Sequence, residues 1–181
     1  MNPREENEIR RAMTVKRPAL TTNDRALLRR FVRGEITFAQ LEGITAEEAL
    51  SLSETGHAYF TSGRLAQART IFEGLAAINH LDPYPRQVLG AICEREGSDA
   101  QARAHYDVCL SLNHDNPWVL ARRGEMRVRS GELKEGVDDL VQACELDKEA
   151  RLLTTARAQL LLANLVDAAR EVKSAAPRAD T

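Results

Sequence analysis

Four histidines and three cysteines are the side chains of this 181-residue chain best suited to nucleophilic or metal chemistry. His57, His80, His105 and His114 are not spaced with acids and nucleophiles in the way that acyl transfer or hydrolysis would need. Cys93, Cys109 and Cys144 form no C-x-x-C pair, are odd in number and fall in stretches that read as helix, so they are expected to be reduced, half-buried thiols. There is no P-loop, G-x-G-x-x-G, G-x-S-x-G or H-E-x-x-H. The carboxylates read as solvated helix faces. The expectation is a protein with no catalytic step, no metal and no cofactor.

Two of those histidines belong to a longer pattern. "NHLDP" at 79–83 and "NHDNP" at 113–117 nearly repeat one another, with Asn79 answered by Asn113, His80 by His114 and Pro83 by Pro117. The same step relates Gly56, Gly90 and Gly124, and again Gly63, Gly97 and Gly131. It relates Ala68, Ala102 and Gly136, then Phe72, Tyr106 and Leu140, then Ile78, Leu112 and Leu146. Self-similarity at a fixed period is the mark of a repeat array. Small residues at 56/90/124 and 68/102/136 let two helices approach, and large ones at 72/106/140 fill the space between them. Gly63, Gly97 and Gly131 suit the left-handed residue that ends a helix. Asp82 and Asn116 suit N-caps, with Pro83 and Pro117 at the first helical position. Thr45 and Glu48 form a capping box. His80 and His114 share one place in the turn, where hydrogen bonding within the turn is their expected role.

These signals place helices at about 46–62, 65–80, 84–96, 99–113, 118–130 and 133–147, with a seventh at about 149–173. The fold class is therefore all-α: three helical hairpin repeats at 45–148 stacked into a superhelical array, with a C-terminal capping helix at 149–174. Ahead of them, 21–44 reads as an N-terminal helical segment. "TNDRALLRRFVRG" (22–34) is amphipathic, with Leu27, Leu28, Phe31 and Val32 on its apolar side, and a short helical turn follows at 36–41. Residues 1–20 read as a disordered leader and 175–181 as a disordered tail.

The net charge is −2, which gives no general reason to expect nucleic acid. It is uneven: residues 1–34 carry nine Arg or Lys against four acids, a basic arm of +5, and the remainder carries −7. A solvated leader and the polar face of a helix explain that arm more simply than an RNA contact. "MNPREENEIRRAMTVKRP" has no apolar core of a secretory signal, and no apolar run approaches the ~18 residues that would span a membrane. Neither membrane insertion nor nucleic acid is expected, and the chain reads as cytoplasmic.

The pattern resembles the tetratricopeptide repeat: Leu52, Gly56 and Tyr59 match its W-x2-L-G-x2-Y part apart from Thr55, and Ala68 with Phe72 matches A-x3-F. Cys93 and Arg127 replace the tyrosine in later repeats. The resemblance implies a concave groove lined by the first helix of each pair. Leu50, Ser53, His57 and Phe60 are its expected residues in the first repeat, with Ile78 beside them. Tyr84, Gln87, Ala91 and Glu94 follow in the second, then Trp118, Ala121, Glu125 and Val128 in the third. Tyr84 and Trp118 sit at helix starts, outside the 72/106/140 column, and are expected to serve binding more than folding. Repeat modules of this family that hold a C-terminal carboxylate use Lys and Asn on the first helix, Asn on the second, and Lys and Arg on the third. Ser53, His57, Val88, Trp118 and Arg122 stand at those places, so only Arg122 fits and that ligand is disfavoured.

A second resemblance covers about residues 30–147. The run from Gly34 to Leu41, then His57, Phe60, Ser62, Gly63, Ala68, Phe72 and Leu75, then Ile78, His80 and Asp82, is similar to the class II chaperones of bacterial type III secretion. These hold the secreted translocator proteins. The resemblance implies a cytoplasmic chaperone whose groove takes an extended segment of a translocator and keeps it soluble before export. It also implies a homodimer through Leu27, Leu28 and Phe31. The alternatives are a general tetratricopeptide-repeat interaction scaffold and a needle-subunit co-chaperone.

Overall fold

The computed structural model describes residues 21–175. The expected leader, with its part of the basic arm, and residues 176–181 of the expected tail lie outside the described residues. Every described element is helical. The chain divides into two compact units, between Gly43 and Ile44.

The N-terminal unit holds α1 (Thr22–Val32) and α2 (Phe38–Glu42). Both open with a reciprocal capping box. Thr21 accepts from the Asp24 amide while Asp24 accepts from the Thr21 amide, and Thr37 and Gln40 do the same for α2. Each cap satisfies orphan amides and contributes about 0.5–2 kcal/mol to its helix. Gly34 follows α1 with φ +72°, and Phe31 then meets Phe38 edge-on at 6.1 Å. Leu27, Leu28 and Phe31 are half-buried, whereas Val32, expected beside them, is exposed.

The second unit is three helical hairpins and a terminal helix. α3 (Ala46–Thr61) pairs with α4 (Leu65–Ile78), α5 (Pro83–Arg95) with α6 (Asp99–Leu112), and α7 (Pro117–Arg129) with α8 (Leu133–Leu146). α9 (Leu153–Ala175) packs on α8 and α7. The start and stop signals act as expected. Thr45 and Glu48 cap α3 reciprocally, and Asp82 and Asn116 cap α5 and α7 ahead of their prolines. Gly63, Gly97 and Gly131 turn each hairpin at φ +78°, +74° and +87°. The inter-repeat turns are bonded by the asparagine side chains and not by the histidines. Asn79 accepts from the Leu81 amide and Asn113 from the Asp115 amide, each at 3.3 Å, while His80 and His114 stand exposed.

The small-residue column sets how closely the two helices of a hairpin approach. A Cβ on Gly90 would lie 2.3 Å from Tyr106 Cε1, and one on Gly124 2.8 Å from Leu140 Cγ. The rings and chains of the 72/106/140 column thus rest directly on backbone. Two buried clusters form around them, one with Phe72, Leu89 and Ile92, the other with Tyr106, Val119, Leu140 and Ala158.

The joints between repeats also recur. Arg69 reaches Glu96, and Arg103, one period after Arg69, holds Glu132, two residues beyond the position equivalent to Glu96, with two bonds of 2.6 and 2.7 Å. In the third repeat Val137 replaces the arginine, and the joint to α9 is made differently. Asp147 accepts from the Arg151 and Leu152 amides and from the Thr155 hydroxyl, and Ala150 takes φ +49°. This knot occupies 147–152, which is why α9 begins at Leu153 and not near 149. Arg127 is no simple decay of the tyrosine position. It donates to Asp139 at 2.7 Å, as Arg123 does through two bonds of 2.7 and 2.8 Å, so a buried carboxylate joins α7 to α8.

Candidate peptide-binding groove

The expected groove residues lie on α3, α5 and α7, the first helices of the three hairpins, except Ile78, which ends α4. In the first two turns of each first helix the period leaves an apolar side chain in contact with water. Leu50 is 59% exposed and Tyr84 37%, and Trp118 is half-buried; Leu152, one further step along, is 38% exposed. The column continues onto the segment leading into α9, and the spacing from Trp118 to Leu152 was the available sign of it.

Further along each helix, polar side chains tie one first helix to the next. The Tyr84 hydroxyl lies 3.3 Å from His57 Nδ1, joining α5 to α3. Arg95 crosses the same gap: its guanidinium sits 4.0 Å from the Phe60 ring centroid, and Nη1 donates to the Phe60 carbonyl at 2.7 Å. Such a cation over a ring adds about 0.5–2 kcal/mol. Between α5 and α7, Asn116 Nδ2 donates to Gln87 Oε1 at 2.8 Å. Arg122 grips Glu94 through Nε at 3.0 Å and Nη2 at 2.9 Å, and Glu125 through Nη1 at 2.7 Å. Glu94 also accepts from the Tyr106 hydroxyl at 2.8 Å. Burial works against the Arg122 charge, but Glu94 and Glu125 outweigh it and hold its pKa above the ordinary value. Burial, then the charge of Glu94, pushes the Tyr106 hydroxyl far above its usual range, so Tyr106 serves as a donor.

The expected residues therefore divide. His57, Phe60, Tyr84, Gln87 and Glu94 are joined in cross-helix contacts, Glu125 is tied to Arg122 on its own helix, and Ser53 and Ala91 are half-buried. Ala121 does not line an open face: it is fully buried in the core. Position 121 follows Leu120 and Val119 into the interface with neighbouring helices, which a period count alone does not reveal. Ile78 and Val128 are half-buried against the core clusters. Tyr84 and Trp118 were expected to be independent of the core column, yet they meet Phe72 and Tyr106 edge-on at 6.0 and 5.9 Å. Arg95 and Asn116 were missed, because each acts through a partner on another helix.

Burial raises the Cys109 thiol to about 11 and pushes Cys144 up as well, so both are poor nucleophiles at neutral pH. Among the described residues no group of three His, Cys, Asp or Glu is placed to hold a metal ion. No described helix is long and apolar enough to cross a membrane.

No family model and no curated protein matches the chain. Solved structures do. The Yersinia enterocolitica type III secretion translocator chaperone SycD is 24% identical, with a TM-score of 0.64 over 71% of this chain and 98% of SycD. PcrH of Pseudomonas aeruginosa, in complex with the chaperone-binding region of PopD, is 23% identical, with a TM-score of 0.62 over 71% and 97%. The first tetratricopeptide repeat domain of Spaghetti (RPAP3), bound to the HSP90 peptide SRMEEVD, is 22% identical, with a TM-score of 0.55 over 66% and 97%. The fold is a tetratricopeptide-like helical repeat array.

Proposed function

We propose that this chain is a cytoplasmic chaperone of type III secretion that holds an extended segment of a translocator protein against α3, α5 and α7. The observation that carries the reading is the apolar column Leu50, Tyr84, Trp118 and Leu152. Recurring once per repeat, it offers apolar seats at regular intervals while the polar ties between helices hold their spacing. An extended peptide suits such a surface, since alternate side chains enter the seats and the rest stays in water. The likeness to SycD and to PcrH bound to PopD supports the same assignment. No catalytic step is involved: binding covers apolar surface of the client until export. A homodimer through Leu27, Leu28 and Phe31 belongs to the same proposal, and light scattering of Leu28→Asp with Phe31→Asp tests it separately.

The rival reading, a scaffold that clamps an acidic C-terminal tail as the Spaghetti domain binds SRMEEVD, meets an obstacle in the state of Arg122. This cation, which alone among the five clamp positions fits that ligand, is already paired with two carboxylates. The test is titration of the chain with an extended translocator peptide such as the PopD chaperone-binding region. Saturable binding that Leu50→Asp weakens at least tenfold is expected. Binding untouched by that substitution would place the client on another surface.

A further inference from the structure

A C-terminal carboxylate leaving water needs hydrogen-bond donors, and the strongest are cations that are not already neutralised. Arg122 is not available in that sense. Glu94 takes its Nε and Nη2, Glu125 takes its Nη1, and the Tyr106 hydroxyl pins Glu94 from the core side. Two carboxylates against one guanidinium leave the cluster with one negative charge. The side chains of Arg122, Glu94 and Glu125 are only 20%, 10% and 13% exposed, so solvent and salt screen that charge weakly. The other clamp positions offer no substitute. Ser53 and Trp118 carry no charge, Val88 is buried in the core, and His57 is engaged with the Tyr84 hydroxyl.

We propose that Glu94 and Glu125 are specificity determinants of the groove. By neutralising Arg122 and leaving an excess negative charge between α5 and α7, they exclude peptides that present a free C-terminus or an acidic side chain there. The clients admitted are internal segments that are uncharged or basic at that point. The inference rests on the groove reading above and names the class of peptide the groove takes.

The probe is the peptide SRMEEVD, prepared with a free C-terminal carboxylate and as the C-terminal amide. Both forms are titrated against the parent, Glu125→Gln, and the double variant Glu94→Gln with Glu125→Gln. Glutamine preserves the shape and can still accept from the Tyr106 hydroxyl, so the change is mainly one of charge. The parent is expected to show no preference for the carboxylate form. The double variant should bind that form about tenfold more tightly than the parent does, by an amount that shrinks as salt is raised. Adding Arg122→Met to the double variant should abolish the gain. If the double variant fails to fold, Glu125→Gln, which leaves the contact of Glu94 with Tyr106 intact, should show a gain of about threefold. Folded variants with no gain, or a parent that already prefers the carboxylate, would overturn the proposal. An internal PopD-region peptide titrated in parallel separates the two readings. If the parent binds it while the variants show no gain, only the specificity inference falls; if the parent does not bind it, the groove reading falls too.

Discussion

Trp118 meets Tyr106 edge-on at 5.9 Å, and one repeat earlier Tyr84 meets Phe72 in the same way at 6.0 Å. The partly exposed rings of the candidate groove are thus the outer ends of two core stacks. Binding and folding share side chains here, which changes how the groove is to be probed.

Truncating Tyr84 and Trp118 together to Ala should weaken client binding at least tenfold, since each lost factor of ten is only about 1.4 kcal/mol. It should also lower the melting temperature, because each ring covers a core neighbour. Leu50→Ala is the cleaner probe. At 59% exposure it should cost little stability yet still weaken binding. Peptide titration beside thermal unfolding checks both, and a Leu50→Ala protein that binds like the parent would remove the first seat from the groove.

Two glycines inside helices should respond in opposite directions. A Cβ at Gly90 would sit 2.3 Å from the Tyr106 ring, so Gly90→Ala should destabilise by about 1–3 kcal/mol or more through overpacking. Gly74 in α4 has nothing within 4 Å of the added atom, so Gly74→Ala should stabilise by about 0.5–1 kcal/mol. Urea unfolding of both variants reads the two signs, and equal signs would contradict the close approach of α5 and α6.

Asp139 is buried and receives both Arg123 and Arg127. Asp139→Ala would leave two guanidinium groups without their carboxylate, at a cost of about 3–5 kcal/mol. Chemical denaturation should show it as a midpoint shift without a change in helix content at zero denaturant. A loss below about 1 kcal/mol would mean that water and Asp107 replace the pair.

His105 on α6 supplies a pH dependence. Its pKa is lowered from the ordinary 6.5 by burial first, then by Arg86 and Arg69, against the opposing charge of Glu73. The unfolded chain therefore takes up a proton that the folded chain resists. The contribution of His105 to stability is fully present above pH 6.5 and is lost as the pH drops below it towards the folded-state value. His105→Gln should flatten the decline in melting temperature between about pH 7 and 5. An identical slope in parent and variant would assign that decline to other groups.

Much of the architecture was legible because the physics behind it is local. Thr45 with Glu48, Asp82 before Pro83, and Asn116 before Pro117 start helices through atoms close together in the chain. A glycine that must take positive φ announces itself at 63, 97 and 131. The repeat period then fixes which helices pair, since Gly90 and Tyr106 have to meet for any such hairpin to close. The candidate site was legible only in part. The columns located Leu50, Tyr84 and Trp118, but the period says nothing of how far each helix is rotated about its axis.

That rotation is a property of packing between helices distant in the chain. It buried Ala121, set Tyr84 and Trp118 against the core rings, and brought Glu94, Tyr106, Arg122 and Glu125 into one cluster from three helices. It likewise turned Arg127, which the repeat pattern marks as a misfit, into a partner of Asp139. Local hydrogen bonding and the period suffice to determine which helices form and in what order they stack, because both act over short stretches of chain. Which side chains reach water, and which charges are already spent on one another, depends on distances between helices that no single stretch encodes.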